Sequence, residues 1–262
     1  MPIPPKRRTL PARVVTTTRF VRALSSTRRL LTDLAEAQGS RHEPELHVGV
    51  LIASGRHTDI DAMRGFAAQL AADVTPRMQS ATELSWHFHE PETMLLASDE
   101  PVRPSSLLAE SSRHMAEGPY DLVLVLTDVG LISRKKEAST GLASDICRVM
   151  VISTRQLTST RRGDPAYTLT VPAVRWNAAA LLLHLLGHIS LLKHDPQSRD
   201  VMAPFVFREN RGEIDFSAPD KQTLRKRAED LPERELRGGN LLDSFIFHVL
   251  MVARHPADVL RA

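Results

Sequence analysis

Only one cysteine, Cys147, occurs in 262 residues. That excludes an internal disulfide framework and any cysteine-based metal cluster; in its apolar stretch the residue reads as a small buried side chain. No N-terminal segment has the apolar core of a signal peptide. The longest apolar run, Ala178 to Leu183, reaches Leu192 only with two histidines, a glycine and a serine inside it. It falls short of the roughly 20 apolar residues that a membrane span needs, so a cytoplasmic protein with no membrane partner is expected. No aromatic residues interleave with the basic run Lys6-Arg7-Arg8, as a single-strand nucleic-acid binder would require. That run reads as a solvated tail, and no nucleic-acid partner is expected.

The composition, 42% hydrophobic and 25% charged, is that of an ordinary soluble globular protein. Its charge is unevenly spread. Residues 1–43 hold nine Lys or Arg against three acids, a net +6, so the remainder carries −3 of the overall +3. The high pI therefore comes from the N-terminus and not from a basic binding face.

After the basic start, residues 12–37 read as an amphipathic helix with Val14, Phe20, Val21, Leu24, Leu31 and Leu34 as its stripe. Gly39 to Pro44 looks like a linker. The expected division is thus a basic extension, 1–43, followed by one domain, 44–262. Strand-like runs and helical patterns then alternate. Leu46 to Ala53 is a strand and Asp59 to Met78 a helix. Glu83 to His89 alternates strictly, with Leu84, Trp86 and Phe88 on one face. Ser105 to Glu117 is helical. Tyr120 to Thr127 and Ile146 to Ser153 suit buried central strands, with Ala138 to Ala143 a short edge strand. This order implies an α/β fold with a mixed, mostly parallel sheet. A helix from Asn177, as N-cap, to Leu192 is apolar on nearly every face and should lie buried against the sheet. Two more helices, Pro219 to Leu231 and Asn240 to Arg254, make the C-terminal part, 205–262, mainly helical. The apolar surface of the last one leaves homo-oligomer formation open.

The buried helix carries the chemistry: His184-Leu-Leu-Gly-His188-Ile-Ser-Leu-Leu-Lys-His194. Histidines four apart lie on one helix face, so both imidazoles can reach a single ion. His194 can join them only if the chain turns back after the helix. Three neutral imidazoles leave one tetrahedral position open, which is how catalytic zinc sites are built.

The three histidines stand in the register His-Glu-x-x-His-x-x-Gly-x-x-His, and Val201-Met202-Ala203-Pro204 follows where a methionine-bearing turn belongs. On these residues the chain resembles the metzincin zinc peptidases, and most of all the archaemetzincins. Thr127-Asp128-Val129-Gly130-Leu131 and Val149 to Leu157 agree, and the resemblance covers residues 120–205 well and 45–120 loosely. It implies a zincin-like α+β domain, a zinc cofactor on His184, His188 and His194, and a Met-turn at 201–204. It also marks two departures. The glutamate that would accept and return a proton in the family is Leu185, and losing a general base removes roughly 10²–10⁴-fold in rate. The turn glycine is Leu191; a left-handed backbone there would cost roughly 1–2 kcal/mol and would put the position of His194 in doubt. The second, four-cysteine zinc site of the archaemetzincins falls on Asp195, Asp200, Asp220 and Thr223, which do not make a zinc cage.

Among other acids, Glu90, Glu92, Glu209 and Glu213 are the candidates for a substitute base, and spacing promotes none of them. His87 and His89 share a strand face, either as a metal or substrate contact or as its solvent side. The expected function is a zinc-binding pseudopeptidase that holds a peptide or protein in the former substrate cleft. The alternatives are an active zinc hydrolase with a non-standard proton acceptor, and a metal-free scaffold.

Overall fold

The computed structural model describes residues 45–133, 137–145, 147–159, 167–195, 200–209, 212 and 214–228. The expected helices at 12–37 and 240–254 lie outside them. The strands are β1 (Glu45–Ser54), β2 (Ser85–Phe88), β3 (Glu92–Leu95), β4 (Leu122–Thr127), β5 (Leu131–Ile132), β6 (Ala138–Ser139), β7 (Gly141–Ser144) and β8 (Val149–Ser153). The helices are α1 (Ile60–Thr82), α2 (Pro104–Glu117), α3 (Thr154–Thr158), α4 (Pro172–Ile189) and α5 (Ala218–Ala228). The main sheet runs β2-β1-β4-β8-β7, and β3 pairs with the second half of β1 beyond β2. All pairings are parallel except β7 with β8. Strands β5 and β6 form a separate antiparallel pair. The mixed, mostly parallel sheet is as expected.

Alternation along β1 decides which helix covers which face. Leu46, Val48, Val50 and Ile52 join a core with residues of α1 and α4, while Leu51 and Ala53 join a second core with Leu107 and Met115 of α2. β4 and β8 are buried on both faces, as the central strands of a sheet covered on both sides must be. Each fully buried leucine or valine there contributes about 1.5–3 kcal/mol of burial. α4 is the deepest helix: Leu182, Leu183 and Leu186 are buried on different sides of it. Arg175 on α4 pairs with Asp73 on α1 at 2.7 Å.

Three boundaries differ from the sequence reading. Asn177 is not the N-cap of α4. The helix starts five residues earlier, with Val171 as cap and Pro172 in the first turn, where a proline loses no helical hydrogen bond. Asn177 is instead a fully buried brace: its amide donates to the carbonyls of Ala173 and Arg208, both at 2.7 Å, and accepts from the Arg208 N–H. α1 runs four residues past Met78 and ends at Glu83 in a left-handed conformation, φ 61°. Finally, the expected helical C-terminal part begins with a non-helical stretch, 205–209, and α5 is its described helix. No helix among the described residues is long and apolar enough to cross a membrane.

Candidate metal centre

His184 and His188 stand one turn apart at the end of α4, and the way that helix stops delivers the third histidine. The N–H of Leu192 bonds the Gly187 carbonyl at 2.9 Å, and the N–H of Leu191 bonds the His188 carbonyl at 2.8 Å. This is the paired closure of a Schellman motif, which needs a left-handed residue at its centre. That residue is Leu191, at φ 60° and 55% exposed. Leucine therefore takes the conformation expected of glycine, with its side chain turned out to solvent. The chain reverses, and His194 returns to the helix end. Arg227 of α5 donates to the Ser190 carbonyl at 3.0 Å, satisfying one of the carbonyls left open at the helix terminus.

The three Nε2 atoms converge, with separations of 3.0 Å for His184–His188, 3.0 Å for His184–His194 and 2.9 Å for His188–His194. The other ring nitrogens are anchored. Nδ1–H of His184 donates to the Val201 carbonyl at 2.7 Å, and Nδ1–H of His188 to the Leu192 carbonyl at 3.0 Å. A neutral imidazole carries one proton, so both of these rings turn a lone pair inward. Burial pushes both rings below the usual histidine range, outweighing the upward pull of those carbonyls. Lone pairs packed this closely repel unless a cation lies between them. Two imidazole nitrogens on one zinc ion, each at about 2.0–2.1 Å, lie at most about 4.2 Å apart. All three separations are inside that limit, and the donor set could hold a metal ion.

Below the site, Met202 is fully buried. A Cβ added to Gly187 would meet its sulfur at 2.4 Å and Phe216 at 3.3 Å. Gly187 is what lets the thioether lie against the histidine helix between the two ligands. Asp200 shapes the turn by accepting the Met202 N–H at 2.9 Å, and the Asp195 N–H bonds the Met202 carbonyl at 3.1 Å.

Solved structures similar to this chain include two archaemetzincins. That of Methanopyrus kandleri is 20% identical with a TM-score of 0.45, over 74% of this chain and 97% of its own. That of Archaeoglobus fulgidus, complexed with malonate, is 15% identical at 0.46, over 68% and 99%. A zinc-dependent peptidase of Methanocorpusculum labreanum is 15% identical at 0.45, over 68% and 99%. Neither a family model nor a curated protein matches the chain.

The remaining sequence candidates are placed as follows. Leu185 is buried, and its Cδ1 lies 3.2 Å from where a Cβ on Gly141 of β7 would stand. Leu185 is thus an aliphatic plug against β7. Glu92 accepts from the Tyr120 hydroxyl at 3.1 Å and faces His114 at 3.6 Å, on the opposite sheet edge. Glu209 accepts from the Tyr167 hydroxyl at 3.0 Å; that bond, then partial burial, raises the tyrosine above its usual range. Glu90 follows β2 at the same far edge, and Glu213 lies outside the described residues. Asp220 accepts from Ser217 and Thr223 donates to the Pro219 carbonyl. Among the described residues, only these three histidines form a group of three or more in which one ligand atom from each lies within 4.8 Å of the others. His87 and His89 are not merely a solvated face: both rings pack on His47.

A crevice of about 530 Å³ opens beyond the carboxyl ends of β1, β4 and β8, with Thr58, Asp128, Arg155 and Tyr167 among its walls. The sequence reading missed Gly187, Arg227 and the two carbonyl anchors. Gly187 carried a signal, as a glycine between two histidines on a helix that otherwise avoids it; the anchors depend on tertiary placement and carried none.

Proposed function

We propose that the chain is a zinc-binding, archaemetzincin-like pseudopeptidase that holds an extended peptide or protein segment beside His184, His188 and His194. The observation that carries the reading is the convergence of three Nε2 atoms, two with their opposite nitrogens tied to backbone carbonyls. That arrangement fixes tautomer and ring orientation in the way that raises the affinity of a histidine site. A zinc ion held there would supply Lewis acidity at an open position. The turn at 201–204, with Met202 beneath the histidine helix, serves as the Met-turn in this reading.

What position 185 lacks is a proton acceptor. Leu185 can neither take a proton from an attacking water nor return one to a leaving amine. Glu92 and Glu209 are bonded to tyrosines elsewhere. The residual capacity is binding. Among the described residues β7 is an outermost strand of the main sheet, and it touches α4 through Gly141 and Leu185. An open edge pairs an extended chain through main-chain hydrogen bonds, with alternate side chains giving selectivity. The reading carries with it a cytoplasmic setting.

The test compares the full chain with its Leu185→Glu and Leu185→Glu/Leu191→Gly variants on a mixed peptide library, with and without chelator. The parent should show zinc uptake and retain peptides without cleaving them. Because Leu191 already adopts the turn, Leu185→Glu alone should yield chelator-sensitive cleavage, and the added glycine should change it little. Chelator-sensitive turnover by the parent would overturn the pseudopeptidase reading in favour of an active hydrolase. Failure of the parent to bind zinc would overturn the metal reading itself.

A further inference from the structure

Four of the described histidines gather at the other edge of the sheet. β1 and β2 pair in parallel with His47 opposite His87. Side chains two apart share a face, so Glu45 stands beside His47 on the side covered by α2. Glu45 Oε2 lies 3.5 Å from His47 Nε2 and 3.9 Å from His87 Nε2. The two rings are stacked, with centroids 5.3 Å apart. His47 Nδ1 meets His89 Nε2 at 2.9 Å. His89 in turn lies edge-on to Tyr120, and Tyr120 against His114, each at 5.0 Å.

This layer is built into the fold. The Tyr120 ring fills the space of two absent side chains: a Cβ on Gly49 would fall 2.6 Å from it and one on Gly118 2.3 Å. The His47 main chain is held by Asp121, whose carboxylate accepts its N–H at 2.8 Å. His47 itself is 11% exposed, whereas Glu45 and His87 are 40% and 51% exposed. One ligand is thus fixed, its second nitrogen oriented by another residue, and two partners at the surface leave an entry path. Those are the parts of a histidine metal site: ligand, supporting hydrogen bond and access.

We infer that Glu45, His47 and His87 form a second site for a divalent transition-metal ion, with His89 as its positioning residue. Two imidazoles and a carboxylate suit zinc and leave a fourth position to solvent. Closing the site requires the half-exposed His87 ring to turn so that its Nε2 approaches that of His47; Glu45 already lies between them. When His47 donates Nδ1–H to His89, its Nε2 offers a lone pair toward the carboxylate, and a cation reconciles the two. The site lies on the face of the sheet away from α4. Three strand steps separate β1 from β7, about 14 Å at the usual spacing, so the two sites bind independently.

Zinc alone, titrated into the full chain against a competing chelator, tests this. His42, His248 and His255 lie outside the described residues, so comparison of variants decides, and not stoichiometry. His87→Ala and Glu45→Gln, both at exposed positions, should each weaken one zinc equivalent by about 100-fold or more. His89→Ala should weaken the same equivalent by roughly tenfold without abolishing it. In a His188→Ala background that equivalent should persist, which separates this site from the helix site. Cobalt substitution should show its d–d absorption lost in His87→Ala and kept in His188→Ala. Unchanged zinc binding in His87→Ala and Glu45→Gln would overturn the inference, whatever happens at His188.

Discussion

The two histidine clusters use the same side chain and the same seating device, yet reach opposite geometries. At the end of α4, Met202 lies where Gly187 has no side chain; at the edge near β1, Tyr120 lies where Gly49 and Gly118 have none. In the first cluster, backbone carbonyls take Nδ1 of two rings, and all three Nε2 atoms converge. In the second, rings stack along a strand pair and one imidazole bonds another. A helix puts residues four apart on one face and a reversing turn adds a third from above. A parallel strand pair offers neighbours side by side, and convergence there depends on rotamers. The helix site is thus preformed, and the strand site closes on its ion.

The sharpest way to break that contrast is at His188. His188→Ala removes one of three preformed ligands and should weaken zinc at the helix site by about 100-fold or more, measured by chelator competition. Folding should survive, because His188 is only half-buried. Equal affinity in the variant would mean that the convergent nitrogens are not the binding point.

The seating glycines come next. Gly187→Ala drives a Cβ into the buried Met202 sulfur and toward Phe216, an overpacking that costs about 1–3 kcal/mol. Gly49→Ala drives one into the Tyr120 ring, with a cost in the same range of about 1–3 kcal/mol. Urea unfolding of the metal-free proteins measures both. The comparison predicts specificity as well: Gly187→Ala should perturb only the helix site, and Gly49→Ala only the zinc equivalent sensitive to His87. If either variant disturbs both equivalents, the two regions are coupled and do not form separate sites.

How much of this was legible in the sequence follows from the same contrast. The helix site was readable because its information is local: a four-residue spacing, an apolar helix and a turn of fixed length. The spacing demanded a reversal after the helix, and the resemblance, through its turn glycine, pointed to residue 191 for it. The strand cluster was half legible. The alternation of Glu83 to His89 put His87 and His89 on one face, but His47 sits inside an apolar run, and only the register of β1 with β2 reveals what it faces. Asn177 shows the reverse error. Asparagine favours helix caps, and that preference outweighed the Val171-Pro172 start; burial against Arg208 gave the side chain different partners. The stop at Met78 failed because no glycine marked the true end at Glu83.

The smallest predicted effect concerns the turn itself. Leu191 is held at φ 60° with its side chain largely in solvent, so it gains little from burial there and bears the steric cost of the left-handed region, roughly 1–2 kcal/mol for a residue with a Cβ. Leu191→Gly removes that cost but enlarges the freedom of the unfolded chain, which takes back roughly 0.5–1 kcal/mol. The net expectation is a gain of up to about 1 kcal/mol, or roughly 2–4 °C in Tm for a domain of this size. Zinc affinity at the helix site should not change, because His194 already reaches Nε2 contact with leucine in place. Thermal melts of the metal-free parent and variant, with zinc titration of each, separate the two consequences. A higher Tm with tighter zinc binding would show that leucine holds His194 out of position. A lower Tm would show that the Leu191 side chain has a partner that offsets its backbone.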